Sequence, residues 1–243
     1  MRMMINGLEV DVDYSKQERE EVLNPLLKQI SSIRQEKGER IIVYLAAPPG
    51  TGKTTLSQFL ELAYKELDSP YSFQSISIDG FHHKAAYLEK TAVTIEGQRT
   101  YLKNIKGSPE SFDLHSLKKH LLGLKEESVS EWPIYDRKLH DVSNEHIQVD
   151  AEIVLIEGNW LLLNEDGWRD LKVTADLTLF IEAEEDMLKP RLINRKIMGG
   201  LNREAATVFY ESSDRKNVIR VLEHHSEPDV KLKMMSDGSL KWG

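Results

Sequence analysis

The segment RIIVYLAAPPGTGKTT, Arg40 to Thr55, constrains the fold of this chain more than any other. Its first half, Arg40 to Ala46, is an unbroken apolar run rich in β-branched residues. Such a run predicts a strand of a parallel sheet covered on both faces. Its second half breaks at two prolines and two glycines. A helix is predicted to follow from Lys53 to about Leu67. Strand, glycine turn and helix N-terminus together make an anion cradle. Gly50 and Gly52 let the backbone curl so that successive N–H groups face one anion. The opening turn of the helix adds unpaired N–H groups and the positive end of its dipole.

The spacing matches that of a phosphate-binding P-loop. Lys53 is placed to reach β- and γ-phosphates, and Thr54 to ligate Mg²⁺. One position departs from the pattern: Ala47 stands where the pattern has glycine. Pro48 holds Ala47 extended, so no positive φ is required there. The two prolines remove donors from the front of the loop. The cradle therefore rests on Gly50, Thr51, Gly52, Lys53, Thr54 and Thr55, and implies ATP and Mg²⁺ as cofactors. The alternative is a glycine-rich turn that holds no ligand.

The rest of the chain alternates strand and helix patterns. Residues 15–36 read as an amphipathic helix ended by Lys37-Gly38, and residues 1–14 carry only a short strand signal. Further strands are predicted at 73–78, 152–157, 175–183 and 229–235. Helices are predicted at 113–124, with Asp113 as cap, and at 184–198 and 203–225. Residues 80–112 read as loops and short helices, and 125–150 as irregular with a hairpin. This order predicts an α/β fold with a doubly wound, mostly parallel sheet. Its 243 residues suit a single domain, 1–243, with an N-terminal helical extension over 1–39.

Composition narrows the partners. Thirty-two Lys and Arg against 40 Asp and Glu leave a formal charge of −8. That argues against nucleic acid as a partner. The absence of cysteine excludes disulfides, thiolate metal sites and cysteine nucleophiles. No apolar run approaches the ~20 residues that cross a bilayer, and the first residues lack a signal-peptide core. A cytoplasmic protein with no membrane partner is expected.

A P-loop serves switches, motors and kinases. No D-x-x-G, N-K-x-D or LSGGQ motif is present. A kinase needs an acceptor site, a base and a cationic lid, and the remaining clusters supply candidates. Asp79 ends the strand after the P-loop helix, where open α/β sheets bind ligands. It is a candidate base for an acceptor hydroxyl, or else a strand-end aspartate capping a turn. His82 and His83 are adjacent and lack metal-ligand spacing. His82 is a candidate contact to an acceptor hydroxyl or phosphate, and His83 a loop residue. Glu157 ends an apolar strand, as the Mg²⁺-side acid of P-loop proteins does. Arg191 and Arg195, four apart, share a helix face. They form either a lid over phosphates or a solvated face paired with Glu182, Glu184 or Glu185. Lys106 is a further substrate candidate. Asp214 and Asn217 read as a solvated helix face, and Trp160 and Trp168 as core or pocket wall.

The ordered set AAPPGTGKTT, SIDGFHH, KGSPESFD, PIYDRKLHD, IVLIEGNWLLL and RLINRKIMGG resembles the phosphoribulokinase/uridine kinase family, which includes type I pantothenate kinases. The resemblance covers about residues 40 to 222. It implies a nucleoside-kinase-like P-loop NTPase with a helical lid at 184–203. It implies Lys53 and Thr54 as phosphate lysine and Mg²⁺ hydroxyl, and Asp79 as catalytic base near the metal. Glu157 takes the part of the strand-end acid by Mg²⁺, and Arg191 and Arg195 that of the lid contacts. Tyr135, Arg137 and His140 fall in the segment that shapes the acceptor pocket. The uridine kinase lid pattern R-D-x-x-x-R-G is absent: Leu192 follows Arg191, and Gly199 comes only later. The function so implied is ATP-dependent transfer of a γ-phosphate to a hydroxyl of a small metabolite, a nucleoside, sugar or pantothenate-like molecule. The alternative is a nucleotide-binding regulator without turnover.

Overall fold

The computed structural model describes residues 2–5, 8–95 and 97–243. Met1, Asn6, Gly7 and Glu96, which fall in the N-terminal segment and in the 80–112 stretch, lie outside the described residues. The chain begins with strands β1 (Arg2–Ile5) and β2 (Leu8–Asp11). Next come α1 (Lys16–Glu18), a π-helical turn (Arg19–Leu23) and α2 (Asn24–Lys37). Then follow β3 (Ile41–Ala46), α3 (Lys53–Tyr64), β4 (Phe73–Ser77), α4 (Ala85–Lys90), β5 (Ala92–Ile95) and β6 (Gln98–Tyr101). After them lie α5 (Leu114–Glu126), β7 (Ser130–Asp136), β8 (Asp141–Val149), β9 (Ile153–Glu157) and β10 (Leu177–Glu182). The last elements are α6 (Glu185–Met198), α7 (Arg203–Phe209), a π-helical turn (Tyr210–Asp214), α8 (Arg215–Glu223), β11 (Val230–Met234) and β12 (Leu240–Trp242).

The chain divides into two compact units. The first comprises Glu9–Ile76 and Ala151–Gly243 with the N-terminal strand, and the second Ser77–Asp150. The first unit is built on a six-stranded sheet of order β12-β11-β10-β3-β9-β4. β3 runs parallel to β9 and β10, and β10 parallel to β11. All six residues of β3 are buried, because the two faces of the strand meet different layers. Ile41, Val43 and Leu45 join the core formed with Leu26, Leu27, Ile30, Phe59 and Leu192. On the other face the Tyr44 hydroxyl bonds to that of Thr174, in the 3-10 turn Arg169–Thr174. There too His225 stacks on Phe180, with ring centroids 4.0 Å apart. Each fully buried leucine or isoleucine contributes about 1.5–3 kcal/mol, so β3 anchors both layers. Trp160 and Trp168 are buried with them.

Acids at the starts of the strands are structural. Asp176 accepts from Ile42 N at 2.8 Å and from Lys37 Nζ at 2.7 Å. Glu152 accepts from Arg34 at 2.7 Å. α2 ends at Gly38 with φ +73°, as Lys37-Gly38 predicts.

β12 was not legible in the sequence. It pairs antiparallel with β11 and is held by the N-terminal helices. The Glu18 carboxylate accepts from Leu240 N at 2.7 Å, and Trp242 Nε1 donates to Glu21 O at 2.8 Å. Asp214 is a second difference. It is buried rather than solvated, and one of its carboxylate oxygens has no hydrogen-bond partner among the described residues. Burial pushes its pKa up, against the pull of Lys196 and Arg195.

The second unit has its own core. Trp132 is fully buried, its indole edge-on to Phe81 at 4.8 Å and its Nε1 donating to Ser77 O at 2.8 Å. Leu117, Leu121 and Leu124 of α5 are buried in the same unit. Asp113 caps α5 by accepting from Ser116 N at 2.9 Å. β7 and β8 form the hairpin expected in 125–150, with an irregularity between Pro133 and Tyr135. The hairpin β5–β6 lies in a stretch that reads as loops and short helices.

Candidate active site

In the first unit, the turn between β3 and α3 has the backbone that the glycines permit. Gly50 and Gly52 have φ of +92° and +90°, where side chains are strained. Space reinforces the requirement at Gly50: a Cβ there would lie 3.0 Å from Leu192 Cγ. Leu192 is thus a packing residue against the loop, which accounts for an apolar residue after Arg191. Gly52 is the N-cap of α3, and Leu56 N donates to its carbonyl at 2.9 Å. Thr51 is buried and uses its hydroxyl on Pro48 O at 3.0 Å, so only its backbone is left to face an anion.

Lys53 and Thr54 converge on one carboxylate. Thr54 Oγ1 donates to Glu157 Oε1 at 2.9 Å, and Lys53 Nζ lies 3.5 Å from Glu157 Oε2. Glu157 is 3% exposed. A carboxylate so buried needs charge and hydrogen-bond compensation, and these two P-loop side chains provide it. Hydroxyl and carboxylate oxygens are the hard donors that Mg²⁺ takes, so the set fits a Mg²⁺–nucleotide. Two residues on, Asn159 buries a side-chain oxygen with no hydrogen-bond partner among the described residues. It lies in the GNW run after the strand-end acid, and a polar residue there is the signal that marks it.

Arg191 and Arg195 differ in their partners. Arg191 Nε donates to Gly50 O at 2.7 Å, and its guanidinium lies beside Gly52 and Gly238. Arg195 lies 4.0 Å from Asp214. Of Glu182, Glu184 and Glu185, the last accepts from Arg215 Nε at 2.6 Å. That contact pulls the pKa of Glu185 down. Thr55 lies in the first turn of α3 and is partly exposed.

In the second unit, Asp79 sits in the 3-10 turn Ile78–Phe81, directly after β4. Its N–H donates to Ser77 Oγ at 3.2 Å, and its carboxylate pairs with Arg137 Nη2. Gly80 permits the turn, since a Cβ there would fall 1.9 Å from Pro133 O. His82 Nδ1 donates to Asp79 O at 2.9 Å. Its ring lies 3.8 Å from Phe112 and 5.6 Å from Tyr135, centroid to centroid. Burial lowers the pKa of His82, against the opposing pull of Asp79. The ring is thus neutral near pH 7, with Nε2 left as an acceptor. Lys106 Nζ donates to His140 O at 2.6 Å and lies 5.1 Å from the Tyr135 centroid. Arg137 Cζ lies 5.2 Å from the same centroid. Asp79, His82, Lys106, Tyr135, Arg137 and His140 therefore form one cluster. Phe112, in KGSPESFD, joins it as an aromatic floor that the sequence did not single out. His83 stands apart, its ring 4.3 Å from that of Tyr87.

Comparison with known proteins agrees with these features. The model of the Phosphoribulokinase / Uridine kinase family matches residues 42–236. YggC of Escherichia coli (strain K12) is 37% identical, over 98% of this chain and 97% of its own length. A uridine kinase of Halalkalibacterium halodurans is 32% identical, over 65% of this chain and 66% of its own. The crystal structure of a candidate fructose transport system kinase from Silicibacter sp. TM1040 superposes with a TM-score of 0.76 at 28% identity, covering 86% of this chain and 98% of that one. The chain belongs to the phosphoribulokinase / uridine kinase family of P-loop kinases.

Proposed function

We propose that this protein is an ATP- and Mg²⁺-dependent kinase that transfers the γ-phosphate to a hydroxyl of a small metabolite, a nucleoside, sugar or pantothenate-like molecule. The observation that carries this reading is the convergence of Lys53 and Thr54 on the buried Glu157. Relatives named as a uridine kinase and as a candidate fructose transport system kinase support a hydroxyl acceptor.

Each residue has a physical part in this mechanism. The N–H groups from Gly50 to Thr55 and the start of α3 hold phosphate oxygens. Lys53 neutralises charge on the β- and γ-phosphates. Thr54 and Glu157 would hold Mg²⁺, which when bound neutralises phosphate charge. Arg191 and Arg195 add positive charge from the lid. Asp79 accepts the proton of the acceptor hydroxyl as its oxygen bonds to the γ-phosphorus and the bond to the ADP oxygen breaks. Arg137 orients that carboxylate. His82 Nε2 accepts a hydrogen bond from another acceptor hydroxyl, and Tyr135 and Lys106 line the acceptor pocket.

The test is a panel of nucleosides, sugars and pantothenate with ATP and Mg²⁺, reading ADP release and the mass of the phosphorylated product. Acceptor-dependent ADP release that Asp79→Asn removes is expected. ATP binding with no turnover on any acceptor would favour a nucleotide-binding regulator.

A further inference from the structure

Between α7 and α8 the helix is irregular. Residues Tyr210–Asp214 form a π-helical turn, closed by Arg215 N donating to Tyr210 O. Such a turn inserts one residue into an α-helix and recurs at functional sites. The insertion brings residues 210 and 215 onto one face, and both engage α6. The Tyr210 hydroxyl donates to Glu185 Oε1 at 3.2 Å, and Arg215 Nε donates to the same oxygen at 2.6 Å. Glu211, also in the turn, accepts from Lys189 Nζ at 2.7 Å. These pairs are solvated, so each contributes little by itself.

Asp214 is the buried member of the turn's ion pairs. Its side chain is 10% exposed, against 55% for Arg195, whose Nη2 lies 4.0 Å from Oδ1. The other carboxylate oxygen is buried without a hydrogen-bond partner among the described residues. An apolar side chain would pack here without that desolvation cost, so packing does not account for the acid. The cations that act on its charge are Lys196 and Arg195. Lys196 places its ammonium 3.7 Å from the centroid of the Phe209 ring. Arg195 makes the direct contact, and a shift of about 1 Å would turn it into a charge-assisted hydrogen bond. Arg191 and Leu192 already register α6 on the phosphate loop at Gly50. Arg195 stands one turn further along the face that carries Arg191.

We propose that Asp214, presented by the π-helical turn, is a positioning residue that aims Arg195 at the terminal phosphate of a bound nucleoside triphosphate. This deepens the kinase reading and rests on it. A guanidinium carries five N–H donors in a rigid fork, so one edge can rest on a carboxylate while another meets a phosphate. Arg191 would be set by the loop and Arg195 by the turn. A diphosphate, lacking the terminal group, would draw little from Asp214.

The test uses the whole protein with Mg²⁺ and measures by calorimetry the Kd of a non-hydrolysable ATP analogue and that of ADP. Asp214→Asn keeps the shape and removes the charge. It should weaken the triphosphate about ten-fold and ADP by less than about two-fold, without lowering the thermal midpoint. Asp214→Ser serves the same comparison should Asn lower it. Arg195→Ala should lose the same triphosphate preference, and the double variant should be no worse than Arg195→Ala alone. Glu211→Gln, which breaks a solvated pair of the same turn, should leave the preference unchanged. A preference unaltered in either single variant, equal weakening of both nucleotides, or additive losses in the double variant would overturn the proposal. ADP release with the acceptor panel separates the two readings. Turnover with a triphosphate preference indifferent to Asp214 would overturn the positioning and leave the kinase standing. An Asp214-dependent preference without turnover on any acceptor would uphold the positioning and remove the kinase.

Discussion

The hydroxyl of Thr54 donates to the carboxylate of Glu157 at 2.9 Å, although 103 residues separate them in the chain. The same carboxylate lies 3.5 Å from Lys53 Nζ. Removing either partner should therefore disturb the nucleotide site as a whole. Lys53→Ala should weaken ATP binding and lower kcat/KM by about 10²–10³-fold, the scale for losing a donor aimed at developing charge. Glu157→Gln should lower Mg²⁺-dependent activity by about 10–100-fold. Nucleotide titration and steady-state kinetics against Mg²⁺ concentration check both. ATP affinity and rate unchanged in Lys53→Ala would remove the P-loop assignment.

Asp79 gives a sharper separation. Asp79→Asn keeps the shape of the side chain but removes its ability to take a proton. It should lower kcat by about 10²–10⁴-fold while ATP affinity stays near that of the wild type. Near-normal turnover in this variant would refute the assigned base.

Gly80 tests the turn that presents Asp79. A Cβ there would meet the carbonyl of Pro133 at 1.9 Å, and neither backbone can yield without moving β7. Gly80→Ala should cost about 2 kcal/mol or more, the upper range for overpacking. A melting temperature equal to that of the wild type would contradict this packing.

His82 makes a pH prediction. Burial lowers its pKa below 6.5 in the folded state, despite the opposing pull of Asp79. Between the folded and unfolded values the unfolded chain binds more protons, so stability rises with pH there. This contribution is complete above the unfolded value, near 6.5. It is lost progressively as pH falls toward the depressed folded value. An NMR titration of the imidazole should give a midpoint below 6.5. His82→Asn should shrink the loss of melting temperature between neutral and mildly acid pH, leaving the part due to His83, which burial also lowers. A midpoint above 6.5 would exclude the neutral ring on which its acceptor role depends.

What the sequence determined by itself was local and periodic. The apolar run at β3, the glycines at 50 and 52, the cap at Asp113 and the stop at Gly38 each act within a few residues of their position. That is enough to read the parallel sheet and its phosphate loop. What tertiary structure decided was the partner of each side chain. Arg191 could have paired with nearby acids on its own helix, but its Nε bonds to Gly50 O, 141 residues away. Asp214 carries a helix-face pattern that reads as solvated, yet the packing around it buries its carboxylate. β12 has too few residues to show a period, and it exists because Glu18 and Glu21 receive its N–H groups. Arg137 and Asp79 each suit a solvated turn taken alone, and become one ion pair when the β7–β8 hairpin folds against the 3-10 turn. The physical reason is the same in each case. Backbone preferences act between neighbours in sequence, whereas charge pairing and burial depend on which surfaces the completed fold brings together.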